Sequence, residues 1–454
     1  MGDAALAEIL LWPPAMRATH RLFLAASTSL AVLAGCSASS TSSDPKPTTP
    51  FGDGSVVASQ QSRIMQPSVS DADATALRDG NTAFAADLYQ TLRSDPDWQG
   101  KNVFFSPYSI SLALAMAYAG AHGNTETQMA SAMHYTLPQA KLHPALDALD
   151  LALASRGQGA KGDDGKAFRL RVTNSMWGAP QTTFAPTYLD TIAQNYGAGI
   201  RLTDFAANPE AARGTINSWV DKETEDRIKE LLPMGSIDQS TRLVLVNAIY
   251  FNAAWQTPFE KALTQAGTFH GLGGDAPEQL MRQGGELAYA KGTGWQAVSL
   301  PYDGDELSFI AVLPDQFSAF ESAFSAEQAS SIASSLNSVP VDLELPKFKI
   351  DGASFSLKKA LVARGMTDAF DDTKADLSGI TATERLHVSD VVHQAFVSVD
   401  EAGTEAAAAT AVISAGTAAH TDPPVKLTLD HPFVFFVRDN ATGAILFLGR
   451  VVTM

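Results

Sequence analysis

The chain has 454 residues, 45% hydrophobic and 18% charged, so it can bury a sizeable core and is not globally disordered. The 32 Lys and Arg against 49 Asp and Glu leave a formal charge of −17, a sign that repels nucleic acid and heparin-like polyanions. A single cysteine excludes an internal disulfide framework and a Cys-based metal cluster.

That cysteine, Cys36, closes an address segment. Arg17, His20 and Arg21 form a basic region after Met16, and an apolar stretch runs from Leu22 to Leu33. The stretch is short for a membrane span and reads as the core of a signal peptide. Leu33-Ala34-Gly35-Cys36 resembles a bacterial lipoprotein box, which implies a lipid on the Cys36 thiol and a mature chain that begins there. Asp3 and Glu8 suit a signal peptide poorly and point to Met16 as the start. Residues 1–35 are therefore expected to be a signal peptide. Ser37 after the cysteine favours an outer membrane, so the expected location is a bacterial cell envelope, lipid-anchored, or the medium outside it. Residues 36–70 are rich in Ser, Thr, Pro and Gly and read as a flexible tether, with one folded domain over 71–454.

Within that domain, Leu77, Phe84, Leu88 and Leu92 fall on one helical face and predict a helix from Asp71. Val103 to Phe105 is strand-like. Ser106-Pro107 then opens an apolar helix running to Ala121, which should be buried. Residues 155–166 read as a loop, Phe168 to Trp177 as a strand and Ala211 to Leu232 as a helix. Leu243 to Phe251 is almost wholly apolar and predicts a strand covered on both faces. Further strands are expected at Leu307–Leu313, Val341–Leu345, Leu427–Leu429, Phe433–Val437 and Ile445–Val452. Helices early and strands late argue an α+β domain with more than one sheet.

Catalytic motifs are missing. Gly157-Gln158-Gly159-Ala160-Lys161-Gly162 matches GxGxxG in letters, but no strand leads into it and no apolar helix follows. There is no GxSxG, no Walker sequence and no HExxH, and no two of the nine histidines lie at i, i+4. No enzyme, cofactor or metal site is expected.

The informative segment begins at Ala395. After an alternating stretch to Asp400 comes Glu401-Ala402-Gly403-Thr404-Glu405-Ala406-Ala407-Ala408-Ala409-Thr410-Ala411-Val412. Between Glu405 and Asp422 there is no charged residue. As a strand, this stretch places Thr404, Ala406, Ala408, Thr410 and Val412 on one face, all small or apolar. Such a face can enter a sheet without burying a charge. Thr404 to Thr417 would span roughly 45 Å at strand rise.

These residues resemble the hinge of an inhibitory serpin. The resemblance extends to Asn102-Val103-Phe104-Phe105-Ser106-Pro107-Tyr108-Ser109-Ile110, to Val246 through Trp255, to Leu345-Pro346-Lys347-Phe348, to Ala375 through Ile380, and to Leu429-Asp430-His431-Pro432-Phe433-Val434-Phe435-Phe436. It implies the serpin fold, a single α+β domain of helices packed on three sheets with an exposed reactive-centre loop. It also implies a suicide-substrate mechanism: a serine protease attacks the loop, forms a covalent acyl complex, and the freed loop inserts into the central sheet.

The hinge would be Glu401, Gly403, Thr404, Glu405, Ala406, Ala407, Ala408 and Ala409. Ser106, Ser109, Asn247 and His393 resemble the shutter, a polar cluster under the sheet. Trp255 and Lys347 resemble the breach, with Lys347 pairing Glu401. Counting the family's usual seventeen residues from Glu401 inclusive ends at Thr417, so the reactive bond would join Thr417 and Ala418; counting back from Pro432 by the spacing of a shorter-looped serpin ends near Thr421 instead, and the hinge count is preferred because insertion depth sets inhibition. Small uncharged residues there suggest an elastase-like or subtilisin-like target, with a papain-like cysteine protease as a second class. The membrane would be touched only through the lipid, no nucleic acid would bind, and the protein is expected to be a monomer. The alternative is a non-inhibitory serpin that acts as a binding or carrier protein.

Overall fold

The computed structural model describes residues 55–162, 164–351, 354–404 and 423–454. The Asp71–Ser94 helix begins on a Ser70 cap, whose hydroxyl accepts from the Asp73 amide, and carries Asp71 and Asp73 in its first turn. The Pro107–Tyr118 helix is buried over its full length, as its continuous apolar surface requires. It ends at Tyr118, before the expected Ala121. The predicted helix over Ala211–Leu232 is also shorter, at Pro209–Glu223, because Glu225 and Asp226 turn into left-handed backbone.

The first sheet is built around the Leu243–Ala254 strand, eleven of whose twelve residues are buried. On one side it pairs antiparallel with Arg169–Gly178, which pairs parallel with Ile200–Leu202. On the other side its partner changes along its length. From Val244 to Ile249 it pairs parallel with Asp390–Ala395. At Ala253 and Ala254 it pairs instead with Thr404 and Gly403. Val397–Val399 and Phe348–Ile350 continue the sheet beyond that short strand.

The second set of strands runs Val425–Thr428, Asn337–Pro346, Gly274–Gly292, Trp295–Pro301, Leu307–Pro314, Phe433–Asp439, Ile445–Val451 and Val103–Phe105. The Gly274–Gly292 strand is 19 residues long. Hydrogen bonding therefore passes without a break from its pairing with Asn337–Pro346 to its pairing with Trp295–Pro301. Two sheets of the expected three are joined along it.

The N-terminal side brings a correction. The described part of the expected tether, residues 55–70, is packed on the domain. Val56–Val57 adds an antiparallel strand to Ile200–Leu202, and the Leu202 amide donates to the Ser55 carbonyl. Ser59 bonds Asp190, and the Ile64 amide donates to the Gln194 carbonyl. Arg63 bonds Asp147 at 2.7 Å and Asp150 at 2.5 Å. Sparse apolar periodicity hid this strap, because backbone pairing and one arginine hold it rather than a hydrophobic face.

Asp147 has no solvent-exposed side-chain area, and burial holds its carboxyl above the ordinary range against the pull of Arg63. Removing Arg63 leaves a buried charge without its partner. We expect Arg63→Ala to destabilise the domain by about 2–4 kcal/mol at neutral pH, somewhat under the cost of breaking a fully buried pair because Arg63 is partly exposed. Denaturant unfolding measures this; a loss below about 0.5 kcal/mol would place the pair with ordinary surface bridges.

Candidate functional site

The site is the seam where the central strand changes partner. Above Ile249 and Ala395 the two long strands diverge. Gly403 and Thr404 enter the top of the divergence, with Thr404 facing Ala253 on one side and Val399 on the other. A Cβ on Gly403 would lie 2.1 Å from the Ala253 carbonyl oxygen and 2.7 Å from the Ala254 Cα. Only glycine can approach so closely, since both obstacles are backbone.

Side chains hold this short strand in place. The Thr404 hydroxyl lies 2.7 Å from the Tyr302 hydroxyl, and both residues are buried. The Tyr302 ring stacks on Trp255, with centroids 4.7 Å apart and planes 11° from parallel. Trp255 donates through Nε1 to the Asp400 carbonyl at 2.8 Å and through its amide to the Ala402 carbonyl at 2.9 Å. Glu401 accepts from Lys347 Nζ at 2.8 Å through one carboxylate oxygen and from Thr264 Oγ1 at 2.8 Å through the other. Burial pushes the Glu401 carboxyl up, but these two donors outweigh it and leave the group below its ordinary range. Neighbouring Asp400 is raised, chiefly by burial, although its carboxylate accepts from the Ala402 amide.

The polar residues expected at the shutter converge lower down, under the closed part of the seam. Ser106, Ser109, Asn247 and His393 have no exposed area. Asn247 and His393 sit opposite one another on the paired strands. Asn247 Oδ1 accepts from His393 Nδ1, and Asn247 Nδ2 donates to Ser109 Oγ at 2.5 Å. His393 Nε2 accepts from the Ser106 amide at 3.2 Å. Asn174, on the other neighbouring strand, accepts from Asn247 Nδ2 and donates to the Ser109 carbonyl at 3.2 Å. Both imidazole nitrogens are thus used, one as donor and one as acceptor, which fixes a neutral ring.

Sequence reading missed Asn174, Tyr302 and Thr264. Asn174 had a usable signal, an amide within a strand-like run. Tyr302 and Thr264 had none, because each matters only through a partner more than a hundred residues away. The hinge residues Glu405 to Ala409, the reactive bond at Thr417 and Ala418, and Cys36 lie outside the described residues.

Known proteins share this arrangement. The family described as serpin (serine protease inhibitor) matches residues 79–454. Human leukocyte elastase inhibitor is 37% identical over 386 residues, which cover 82% of this chain and 98% of that protein. The chain is a serpin.

Among solved structures, the serpin resembles native tengpin, a thermophilic serpin, with a TM-score of 0.74 at 27% identity over 85% of this chain and 96% of tengpin. It also resembles uncleaved ovalbumin, with a TM-score of 0.73 at 27% identity over 84% of this chain and all of ovalbumin. Membership makes the protein a protease inhibitor rather than an enzyme, with a protease as its partner.

Burial lowers the His393 pKa from the ordinary 6.5 to about 3. The folded state keeps this ring neutral where the unfolded chain would already be protonated. Stability is therefore complete above about pH 6.5 and is lost as pH falls towards 3. A proton on Nε2 would also face the Ser106 amide donor. We expect His393→Gln to flatten the fall in unfolding free energy between pH 6.5 and 5 by about 2 kcal/mol, from 1.36 kcal/mol per pH unit. Equal slopes in wild type and variant would show that His393 does not carry this dependence. His143, lowered by burial to about 4, contributes equally to both proteins and cancels in the comparison.

Proposed function

We propose that this serpin is a suicide-substrate inhibitor of serine proteases with small-residue specificity, elastase-like or subtilisin-like. The observation that carries the reading is the Gly403–Thr404 strand, seated at the open end of a seam whose other end is closed.

Extending its register shows what insertion would do. With Thr404 opposite Ala253, antiparallel continuation sets Ala406 opposite Phe251, Ala408 opposite Ile249, Thr410 opposite Asn247 and Val412 opposite Leu245. Phe251, Ile249 and Leu245 belong to the main core, so this is the inward face of the strand. The entering side chains are small where space is tight. Thr410 would bring its hydroxyl to the polar cluster at Asn247, where a donor and acceptor can be met. The parallel pairing from Val244 to Ile249 would be exchanged for antiparallel pairing on both sides of the new strand.

The chemistry follows from where the loop then goes. The protease serine attacks the Thr417 carbonyl, the peptide bond to Ala418 breaks, and an acyl ester holds the protease on Thr417. Insertion to Ser414, opposite Leu243, would draw that ester roughly 40 Å along the central strand, at about 3.3 Å per residue. Deacylation must then compete with a displacement that pulls the ester against the bound protease. The uncharged run Ser414 to Ala419 offers no Arg or Lys to a trypsin-like pocket. The name of the human relative, leukocyte elastase inhibitor, supports the same target class. A cysteine protease of the papain type would cleave the loop and be held on Thr417 as an analogous thioester. The inhibitor acts as a monomer, tethered to a bacterial envelope by lipid on Cys36.

Incubation with pancreatic elastase or subtilisin should give a gel-stable complex and a C-terminal fragment beginning at Ala418 by mass, whereas trypsin should give no complex. Complete cleavage with free, active protease in every case would favour the carrier reading instead. Ala406→Arg should convert the inhibitor into a substrate, because a guanidinium on the inward face opposite Phe251 would have to be buried unpaired. Cleavage should proceed, with the yield of complex falling about tenfold or more. A yield equal to wild type would contradict the register. Cys36→Ser should release the protein from the membrane fraction; retention there would exclude the thioether lipid as anchor.

A further inference from the structure

Donors without protein acceptors lie away from the hinge, under the Pro209–Glu223 helix. This helix crosses the outer face of the first sheet. Its Ala212, Ile216 and Val220 pack with Val244, Val246 and Ala248 of the central strand and with Val392 of the neighbouring strand. Those are the two strands that must part for a loop to enter. The helix is the cover of the seam.

At the edge of that cover stands Arg201. Ile200 and Leu202 on the same strand are buried in the main core, so alternation turns Arg201 to the outer face, beneath the helix. Its guanidinium lies over the Trp219 ring at 4.6 Å and the Trp177 ring at 5.8 Å. The two indoles meet edge to face at 5.9 Å. These contacts hold the cation without spending its N–H donors. The Arg201 side chain makes no hydrogen bond or ion pair among the described residues. The Trp219 Nε1–H is buried and also lacks an acceptor.

Both residues line one cleft of about 300 Å³, together with Ser218, Lys222 and Glu223. Two cations against one carboxylate leave the cleft net positive. Glu223 lines the same space yet lies beyond ion-pair distance of Arg201, so the cleft is open between them. Burial lowers the Arg201 pKa, and Glu223 only partly restores it, so the cation is poorly compensated where it stands. The Trp219 indole donor is buried without an acceptor, which is costly, and a guanidinium fork suits an oxyanion. The volume is several times that of one water, and far too small for a polysaccharide or a protein loop.

We propose that this cleft binds a small oxyanion, a carboxylate, sulfate or phosphate group, held by Arg201, Trp219 and Lys222, and that the bound anion pins the helix to the sheet edge and slows loop insertion. The second half rests on the insertion reading above; the binding site does not. A ligand that bridges Trp219 and Lys222 on the helix to Arg201 on the strand favours the covered seam over the open one, and so shifts the balance by its differential affinity.

The test is titration calorimetry of the full chain with inorganic phosphate, sulfate and acetate at constant ionic strength, with chloride as control. Saturable binding of at least one is expected. Arg201→Gln should weaken it about tenfold or more, Trp219→Phe less, and Glu223→Gln should tighten it by removing the competing carboxylate. The opposed direction of Glu223→Gln keeps the test decisive if Arg201→Gln folds poorly. Formation of the gel-stable protease complex should slow when the site is filled in wild type, and not in Arg201→Gln. No binding above the chloride control, or binding indifferent to both Arg201→Gln and Glu223→Gln, overturns the site. Binding that leaves the rate of complex formation unchanged overturns the brake and keeps the site. Anion binding through Arg201 in a protein that traps no protease keeps the site and removes the inhibitor reading.

Discussion

The molecule depends on a pairing that stops part-way. Leu243–Ala254 is long enough to bond a neighbour over its whole length, but Asp390–Ala395 meets it over only six positions. Beyond them the strands separate, and two residues of the chain that leads into the loop occupy the top of the opening. Backbone groups are strong, obligatory hydrogen-bonding groups, so a sheet with a position left to fill has a better-bonded arrangement available. What withholds it is the closed pairing below, which must be undone first. The proposed insertion would draw on this one interrupted seam.

The closed half is fastened by hydrogen bonds rather than by packing alone. Asn247, His393, Ser106, Ser109 and Asn174 satisfy one another in a buried cluster that joins three strands to the start of the Pro107–Tyr118 helix. Apolar interdigitation would resist separation in proportion to the area exposed. A polar cluster can exchange one partner for another, provided the newcomer brings equivalent groups. In the proposed insertion Thr410 would come opposite Asn247 and bring a hydroxyl. The cluster could then serve the open and the filled sheet alike.

The two ends of the sheet are handled differently. At the hinge, Glu401 is fixed by Lys347 and Thr264 while Trp255 and Tyr302 hold the backbone around it. At the far edge, the strap of residues 55–66 adds a strand and locks Arg63 between two carboxylates. Between them the Pro209–Glu223 helix covers the outer face of the seam. The seam is bounded by elements held through side-chain hydrogen bonds and ion pairs, so the proposed expansion would have a defined place to occur.

Much of this was legible in the sequence by itself. Alternation and apolar runs determined the central strand and the buried helix, because burial on both faces leaves only β-branched and aliphatic residues. The order of motifs determined the family. The small, uncharged face from Thr404 to Val412 determined that the loop could enter a sheet, since a single buried charge there would forbid it. Only the tertiary structure decided how far the hinge is already seated, because register depends on which strand stands opposite, and sequence carries no distance between Thr404 and Ala253. It decided as well that the strap belongs to the body: Arg63 looks like a solvated charge until a fold brings Asp147 to it across 84 residues of chain. Periodicity reports which side of an element is buried; the identity of the partner on that side is a property of three dimensions alone.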